Sequence, residues 1–319
     1  MKLFRSGSLA LLCSVALHAS DAPSSIPPDQ PSAQLFSADA YAAVKSFYEY
    51  DKGIPLDAKV VDRIETPAFV REKIAFTAHS GERIAGWLAV PKNTAIPPPC
   101  ILVLHGVGST KDSWWRPDNP TGPLAPRLLE AGYAVFMLDA RFFGERSYLG
   151  DFANPQNLVG KNGWLFRFRD LIVHTVIDYR RALDYLAIRP EIDPKRRMIF
   201  GYSMGGVTAI NLLAVEPRLA GGVICVAPPM LAGPATGPLA AARQRLASVA
   251  PENHARALAG RPLLFLMADK DEYYTPAAAE AMIALIPGDA KQVRFFDSGH
   301  MLPHTYIDEV IGWMNTTGW

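Results

Sequence analysis

The sequence predicts an α/β fold with a mostly parallel central sheet, helices on both of its faces and a β-hairpin near the N-terminus. From residue 99 onward, short apolar runs alternate with helical stretches, which is the pattern of βαβ units. The runs are apolar throughout, which indicates strands buried on both faces. Residues 70–91 instead alternate in hydrophobicity around the turn His79-Ser80-Gly81, which is typical of a hairpin.

Six apolar runs are the predicted parallel strands: Cys100–Leu104, Ala134–Leu138, Met198–Phe200, Val223–Val226, Leu263–Met267 and Val293–Phe296. The predicted helices carry apolar residues at spacings of three and four. They comprise an apolar stripe from Ile172 to Leu186 and helices over Met204–Val215, Pro276–Leu285 and about Pro303–Met314.

Two segments do not fit this alternation of strands and helices. We interpret them as insertions that form a cap over the ligand-binding crevice. Residues 141–170 are long and rich in Gly and aromatic residues, and residues 228–260 are rich in Ala, Pro and Gly, with a predicted helix over about Ala240–Ala247. Both follow a strand, and insertions at the carboxyl ends of parallel strands lie over the crevice where α/β proteins bind ligands.

The composition excludes several classes of protein. The 319 residues are 49% hydrophobic, which supports a large core, and their net charge of +1 gives no basic surface for nucleic acid. We therefore expect a small-molecule substrate and no nucleic-acid partner, and the sequence carries no signal for an oligomeric state. Three cysteines are too few for a disulfide scaffold, and we expect Cys100 and Cys225 to be buried thiols.

The N-terminus has the pattern of a processing signal. Residues 1–19 carry Lys2 and Arg5 before an apolar stretch shorter than the roughly 20 residues of a membrane span. We expect a signal peptide at 1–19, a flexible Pro/Ser-rich leader at 20–34 and a domain at 35–319. This predicts a secreted or periplasmic protein with no integral membrane span.

Two alternatives apply to the same N-terminal segment. It could form a buried N-terminal helix, or Cys13 could carry a lipoprotein anchor. The bulky Leu12 precedes Cys13 where a small residue is expected, which disfavours the anchor.

The most informative local motif is Gly201-Tyr202-Ser203-Met204-Gly205-Gly206, which lies between a predicted strand and a predicted helix. A serine on such a sharp turn projects its hydroxyl above the sheet, which is the geometry of a nucleophile elbow. The alternative is an ordinary helix entry with Ser203 as N-cap. The flanking strand and helix favour a catalytic Ser203.

A serine nucleophile needs a general base. His300 directly follows the predicted strand Val293–Phe296 and is the expected base. The other histidines beyond the leader are less well placed for that role: His79, His105, His174, His254 and His304.

A carboxylate must orient the histidine. Asp269, Asp271 and Glu272 all follow the strand Leu263–Met267, and spacing alone does not choose among them. Asp297 is nearer to His300 in sequence, but it is more typical of a turn cap.

The oxyanion of an acyl-transfer reaction needs two preorganised N–H donors. We expect one from Met204, directly after the nucleophile, and one from Val107 in the loop after Cys100–Leu104. Beside them, His105 is expected to brace the loop.

These motifs together resemble the α/β-hydrolase superfamily. The matching segments are His105-Gly106, Asp139-Ala140-Arg141, the Ser203 motif, Ala268-Asp269-Lys270-Asp271 and Gly299-His300. Ile192-Asp193-Pro194 ahead of the Ser203 motif is similar to the dienelactone-hydrolase-like and prolyl-oligopeptidase-like branch. That branch usually places the acid three residues after a small residue at the strand end, which selects Asp271.

The resemblance implies the α/β-hydrolase fold and hydrolysis of carboxylic esters through an acyl-enzyme, with Ser203, His300 and Asp271 as triad and no cofactor or metal. A small peptidase or amidase, or an acyltransferase, would use the same triad, and a non-catalytic binding protein is a rival of another class. The acetyl-xylan-esterase-like branch would carry Arg-Gly-Gln-Gly, whereas this chain has Arg141-Phe142-Phe143-Gly144 at that place. This difference argues against deacetylation of sugars in the manner of that branch.

Overall fold

A computed structural model describes residues 35–92, 94–149, 164–232 and 243–319 of the chain. Among these residues, nine strands form one sheet in the order β1-β2-β3-β5-β4-β6-β7-β8-β9. Their bounds are β1 Lys59–Glu65, β2 Phe69–Thr77, β3 Arg83–Pro91, β4 Cys100–Leu104, β5 Ala134–Leu138, β6 Arg197–Tyr202, β7 Gly221–Cys225, β8 Leu263–Ala268 and β9 Lys291–Phe296.

The sheet is antiparallel at one side and parallel elsewhere. Strands β1, β2 and β3 pair antiparallel, and β3 pairs antiparallel with β5. From β5 through β4, β6, β7 and β8 to β9, every neighbouring pair is parallel. The carboxyl ends of β4, β6, β7, β8 and β9 therefore lie along one edge of the sheet.

Helices flank this sheet. The α-helices of the described residues include α1 Ala38–Ser46, α2 Leu124–Glu130, α3 Trp164–Leu186, α4 Met204–Val215, α5 Pro251–His254, α6 Pro276–Ala284 and α7 Tyr306–Thr316. Helix α3 packs against α4, and α2 packs against α7. The predicted fold class, a mostly parallel sheet flanked by helices with an N-terminal hairpin, is confirmed.

The core lies on the central strands. Every residue of β4, β5, β6, β7 and β8 is buried, as their uninterrupted apolar runs predict. Strand β1 at one edge is exposed along its whole length. The thiols of Cys100 and Cys225 are both buried and unbridged.

Parts of both predicted cap segments lie within the described residues. Helix α3 begins at Trp164, so residues 164–170 of the first segment are the start of this helix. Residues 150–163 and 233–242, together with the signal-peptide and leader predictions at 1–34, lie outside the described residues. Residues 243–246 of the second segment are helical and lie within the helix predicted over about Ala240–Ala247. No helix of the described ranges is long and apolar enough to cross a membrane.

Candidate active site

Ser203 lies on the turn between β6 and α4 in a strained backbone conformation. Its φ of 57° and ψ of −120° fall outside the regions that a residue with a side chain usually adopts. The turn is held on both sides, because Ser203 N–H donates to Cys225 O at 2.8 Å and Val207 N–H donates to Ser203 O at 3.0 Å. The strain is therefore maintained by the neighbouring strand and helix.

Gly205 allows this turn to approach the end of β4. A Cβ atom at position 205 would lie 2.2 Å from the carbonyl oxygen of Leu104 and 2.8 Å from that of His105. Both atoms belong to the backbone and cannot move aside without distorting it. Glycine is therefore required here by the close approach of the two segments and not by its φ angle. The loop that follows β4 is thus brought against the nucleophile turn.

His300 connects Ser203 to Asp271. Its Nε2 atom lies 2.7 Å from Oγ of Ser203, and its Nδ1 atom lies 2.8 Å from Oδ2 of Asp271. The side chain of Asp271 has no exposed surface, and its Oδ1 atom accepts a hydrogen bond from Tyr273 N–H at 2.9 Å. The three predicted triad residues follow β6, β8 and β9, and the structure brings them into one hydrogen-bonded chain.

The other candidate carboxylates make different contacts. Asp269 accepts a hydrogen bond from Ser298 N–H at 3.2 Å, which is a turn contact. Glu272 accepts one from His300 N–H at 3.2 Å and so touches the backbone of the histidine, not its ring. Asp297 forms an exposed ion pair with Lys270. Of the four carboxylates, Asp271 is the one whose oxygen is paired with His300 Nδ1.

The remaining histidines lie elsewhere. His304 is exposed and bonds to Pro120 O, whereas His254 is fully buried beside Ser248 O. His79 and His174 contact each other, with Nε2 and Nδ1 separated by 2.6 Å. Desolvation lowers the pKa of His174 and of His254 to about 4, so both are neutral at pH 7.

The loop that carries Val107 is anchored at both ends to residues that follow β5. At one end, Ala140 N–H donates to Nε2 of His105 at 2.9 Å. At the other, Lys111 N–H donates to Oδ1 of Asp139 at 2.9 Å. His105 thus braces the loop, and burial lowers its pKa, which keeps the imidazole neutral and able to accept that hydrogen bond.

The second anchor also contains a buried ion pair. Lys111 Nζ lies 2.7 Å from Oδ2 of Asp139, and neither side chain has more than 1% of its surface exposed. Burial alone would raise the pKa of Asp139, but the adjacent Lys111 ammonium holds it below its usual value. The carboxylate is therefore ionised when it accepts the N–H groups of Lys111 and Glu145.

Met204 and Val107, the two predicted oxyanion donors, lie on two different segments that meet at Ser203. Met204 is the first residue of α4, and the first N–H groups of a helix have no acceptor within the helix. Val107 follows Gly106, where an added Cβ would lie 3.2 Å from Cβ of Ser203. The helix terminus and the loop after β4 are thus both adjacent to the nucleophile.

Sequence reasoning missed two contributors to this site. Tyr202, inside the nucleophile motif, donates a hydrogen bond from its hydroxyl to His300 O at 3.0 Å. Lys111 was not distinguished from a surface lysine, because no local pattern reveals that it pairs with Asp139, which follows β5. In the described residues, no group of three or more His, Cys, Asp or Glu side chains is arranged to hold a metal ion.

The sequence was compared with models of known protein families, and the match agrees with the observed fold. The model of the α/β-hydrolase fold family matches residues 99–250, which include β4, the nucleophile turn and β7. Together with the sheet order and the turn at Ser203, this match shows that the chain has the α/β-hydrolase fold. The resemblance stated from the sequence is confirmed.

Sequence relatives match only part of the chain. The protein PA2218 of Pseudomonas aeruginosa is 26% identical over 172 residues, which are 54% of this chain and 38% of that protein. The quorum-quenching protein AidA of Acinetobacter baumannii is 28% identical over 127 residues, or 40% of this chain and 34% of that protein. The matched segment thus spans well under half the length of these curated relatives.

Solved structures are similar over most of the chain. Acetyl xylan esterase 1 from Thermoanaerobacterium superposes with a TM-score of 0.67 at 18% identity, covering 89% of this chain and 95% of that one. The glucuronoyl esterase from Solibacter usitatus superposes with a TM-score of 0.59 at 15% identity, covering 87% and 92%. At these identities the similarity shows the shared fold.

Proposed function

We propose that this protein is a serine hydrolase that cleaves carboxylic esters through an acyl-enzyme. The observation that carries the proposal is the hydrogen-bonded chain from Ser203 Oγ through the imidazole of His300 to the Asp271 carboxylate. A serine hydroxyl becomes an effective nucleophile when a positioned histidine takes its proton and a carboxylate holds that histidine in the correct tautomer.

In the proposed reaction, Ser203 Oγ attacks the ester carbonyl carbon while its proton passes to Nε2 of His300. The tetrahedral intermediate carries a negative oxygen, which the N–H groups of Met204 and Val107 would stabilise. The intermediate collapses as the C–O bond to the leaving alcohol breaks, and His300 returns the proton to that alcohol. Water activated by His300 then attacks the acyl-enzyme, which releases the carboxylic acid and restores Ser203.

Ester hydrolysis is favoured over the rival chemistries by one observation. The solved structures with the same fold include proteins named as esterases. A small peptidase or amidase, or an acyltransferase, is the alternative, since each would use the same three residues.

The proposed location of the protein is outside the cytoplasm, either secreted or periplasmic. This rests on the charged start, the apolar stretch and the small residues of positions 1–19. N-terminal sequencing of the protein recovered from the periplasm or medium of a bacterial host tests it, with a new N-terminus near residue 20 expected.

A substrate panel tests the reaction class. The purified protein is assayed with p-nitrophenyl esters of increasing acyl length, with the matching p-nitroanilides, and with an added alcohol as acyl acceptor. The proposal predicts ester turnover far above anilide turnover and free acid as the main product. Faster anilide cleavage would assign an amidase, and ester formation with the alcohol would assign an acyltransferase.

A further inference from the structure

The hydroxyl of Tyr202 joins the nucleophile turn to the backbone of the His300 loop. It donates a hydrogen bond to His300 O at 3.0 Å and accepts one from Leu302 N–H at 2.9 Å. Tyr202 is the last residue of β6 and directly precedes Ser203. The end of β6 therefore leads directly into the nucleophile and also contacts two backbone groups, one in His300 and one two residues after it.

The His300 segment needs such an anchor because it has no regular secondary structure of its own. Residues 297–305 lie between the end of β9 and the start of α7. Glu272 Oε2 also contacts His300 N–H, but that contact is long, at 3.2 Å, and exposed. The Tyr202 hydroxyl supplies a shorter and partly buried contact to the backbone carbonyl of His300 itself.

The surroundings of Tyr202 make this contact rigid. Only 2% of its surface is exposed, and its ring packs against Trp114 and Tyr306 and lies nearly perpendicular to the His300 ring. Burial raises the pKa of Tyr202 well above its usual value, so the phenol keeps its proton and can donate to His300 O. Both hydrogen bonds thus persist across the working pH range of an esterase.

From this geometry we infer that Tyr202 is a positioning residue that holds His300 at reaction distance from Ser203. The inference rests on the proposed function, because it concerns the general base of that reaction. Reacting groups must be held to within a fraction of an ångström, and a misplacement of about 1 Å can cost roughly 100-fold in rate. Removing the hydroxyl should therefore slow the chemistry and leave substrate binding unchanged.

The chain offers a matched control in Tyr306. This tyrosine is also fully buried, and its ring centroid lies 5.9 Å from that of Tyr202. Its hydroxyl donates to Thr121 O at 2.8 Å, and among the described residues it forms no hydrogen bond to the His300 segment. The variants Y202F and Y306F each lose a buried hydroxyl that bonds to the backbone, so their losses of stability should be similar. Only Y202F removes hydrogen bonds to the His300 segment.

The experiment compares the full-length wild type, Y202F and Y306F by thermal unfolding, by kcat and KM on a p-nitrophenyl ester, and by the rate of labelling with a fluorophosphonate. We expect kcat and the labelling rate of Y202F to fall by about 10- to 100-fold, with KM within about twofold. Y306F should retain near-wild-type kcat, KM and labelling rate, with a melting temperature similar to that of Y202F.

Each other outcome has a distinct meaning. Equal kcat in Y202F and the wild type, equal losses in Y202F and Y306F, or a Y202F protein that does not fold would overturn the positioning role. If the wild type itself neither turns over esters nor reacts with the fluorophosphonate, the proposed function fails, and that result is separate from the comparison of the variants.

Discussion

Oδ2 of Asp271 lies 2.8 Å from Nδ1 of His300, and the Asp271 side chain has no exposed surface. A buried carboxylate at this position fixes the tautomer of the imidazole, so that Nε2 is free to accept the proton of Ser203. It also stabilises the imidazolium that forms when that proton is transferred. Asp269, only two residues away, contacts the N–H of Ser298 instead.

The first prediction separates these two aspartates. Asp271→Asn should lower kcat for a p-nitrophenyl ester by about 10³- to 10⁴-fold, because the amide cannot stabilise the imidazolium and favours the wrong tautomer. Asp269→Asn is the matched control and should stay within a few-fold of the wild type. Steady-state kinetics of the two variants measure this, and the assignment of Asp271 fails if Asp269→Asn is the more damaging change.

The second prediction concerns the buried pair of Lys111 and Asp139. Lys111→Met leaves the Asp139 carboxylate buried without its cation and should lower the free energy of unfolding by about 3–5 kcal/mol. Lys270→Met removes an exposed cation paired with Asp297 and should produce no measurable loss. Urea unfolding at pH 7 gives both values. Equal stability of the two variants would show that the Lys111 pair does not hold the loop.

The third prediction tests the close approach at Gly205. In Gly205→Ala the new methyl group would lie 2.2 Å from Leu104 O, so the turn or strand β4 must shift, with a loss of more than about 2 kcal/mol and a fall in activity. Gly312→Ala is the control, because a methyl group there meets nothing within 4 Å. It lies in α7 and should gain about 0.5–1 kcal/mol. Thermal unfolding with ester assays distinguishes the two, and a stable, active Gly205→Ala protein would refute this role.

The fourth prediction follows from the pKa of His254, which burial lowers to about 4. As the pH falls below about 6.5, the unfolded chain binds a proton at this histidine while the folded chain does not, so stability is lost between about pH 6.5 and 4. Between pH 7.5 and 5 this histidine alone should cost about 2 kcal/mol. Burial also lowers the pKa of His79 and His174, which adds to the loss in the same direction.

Two variants isolate the His254 contribution. His254→Gln should reduce the difference in unfolding free energy between pH 7.5 and 5, whatever its stability at pH 7.5. His304→Gln, which alters an exposed histidine, should keep the wild-type difference. Urea titrations at both pH values provide the comparison, and an unchanged pH dependence in His254→Gln would contradict the assignment.

The sequence predicted the parallel part of the sheet because its strands are buried on both faces and so are apolar throughout. The predicted strand Cys100–Leu104 and helix Met204–Val215 have the bounds found in the structure. Strand β1 and helix α1 were not predicted. All residues of β1 are exposed, and α1 buries only Val44, so neither needs the periodic apolar pattern on which such predictions depend.

The candidate site was predictable where a residue follows a recognisable strand, as Ser203, Asp271 and His300 do. The contacts of Tyr202 with His300 and of Lys111 with Asp139 join segments far apart in sequence. Such pairings depend on strand order, which spacing along the chain does not encode. Local sequence also left Asp269 and Asp271 equivalent, and the folded structure separates them by burial and by the group that each side chain reaches.

The most direct test of the account is the identity of the nucleophile. The wild type and Ser203→Ala are treated with a fluorophosphonate, digested and analysed by mass spectrometry, while ester turnover is followed in parallel. In the wild type we expect one phosphonyl group on Ser203 and a loss of turnover proportional to the labelled fraction. In unlabelled Ser203→Ala we expect kcat to be at least 10³-fold lower than in the wild type. Wild-type-like turnover by pure Ser203→Ala, or full activity after complete labelling, would contradict the central claim.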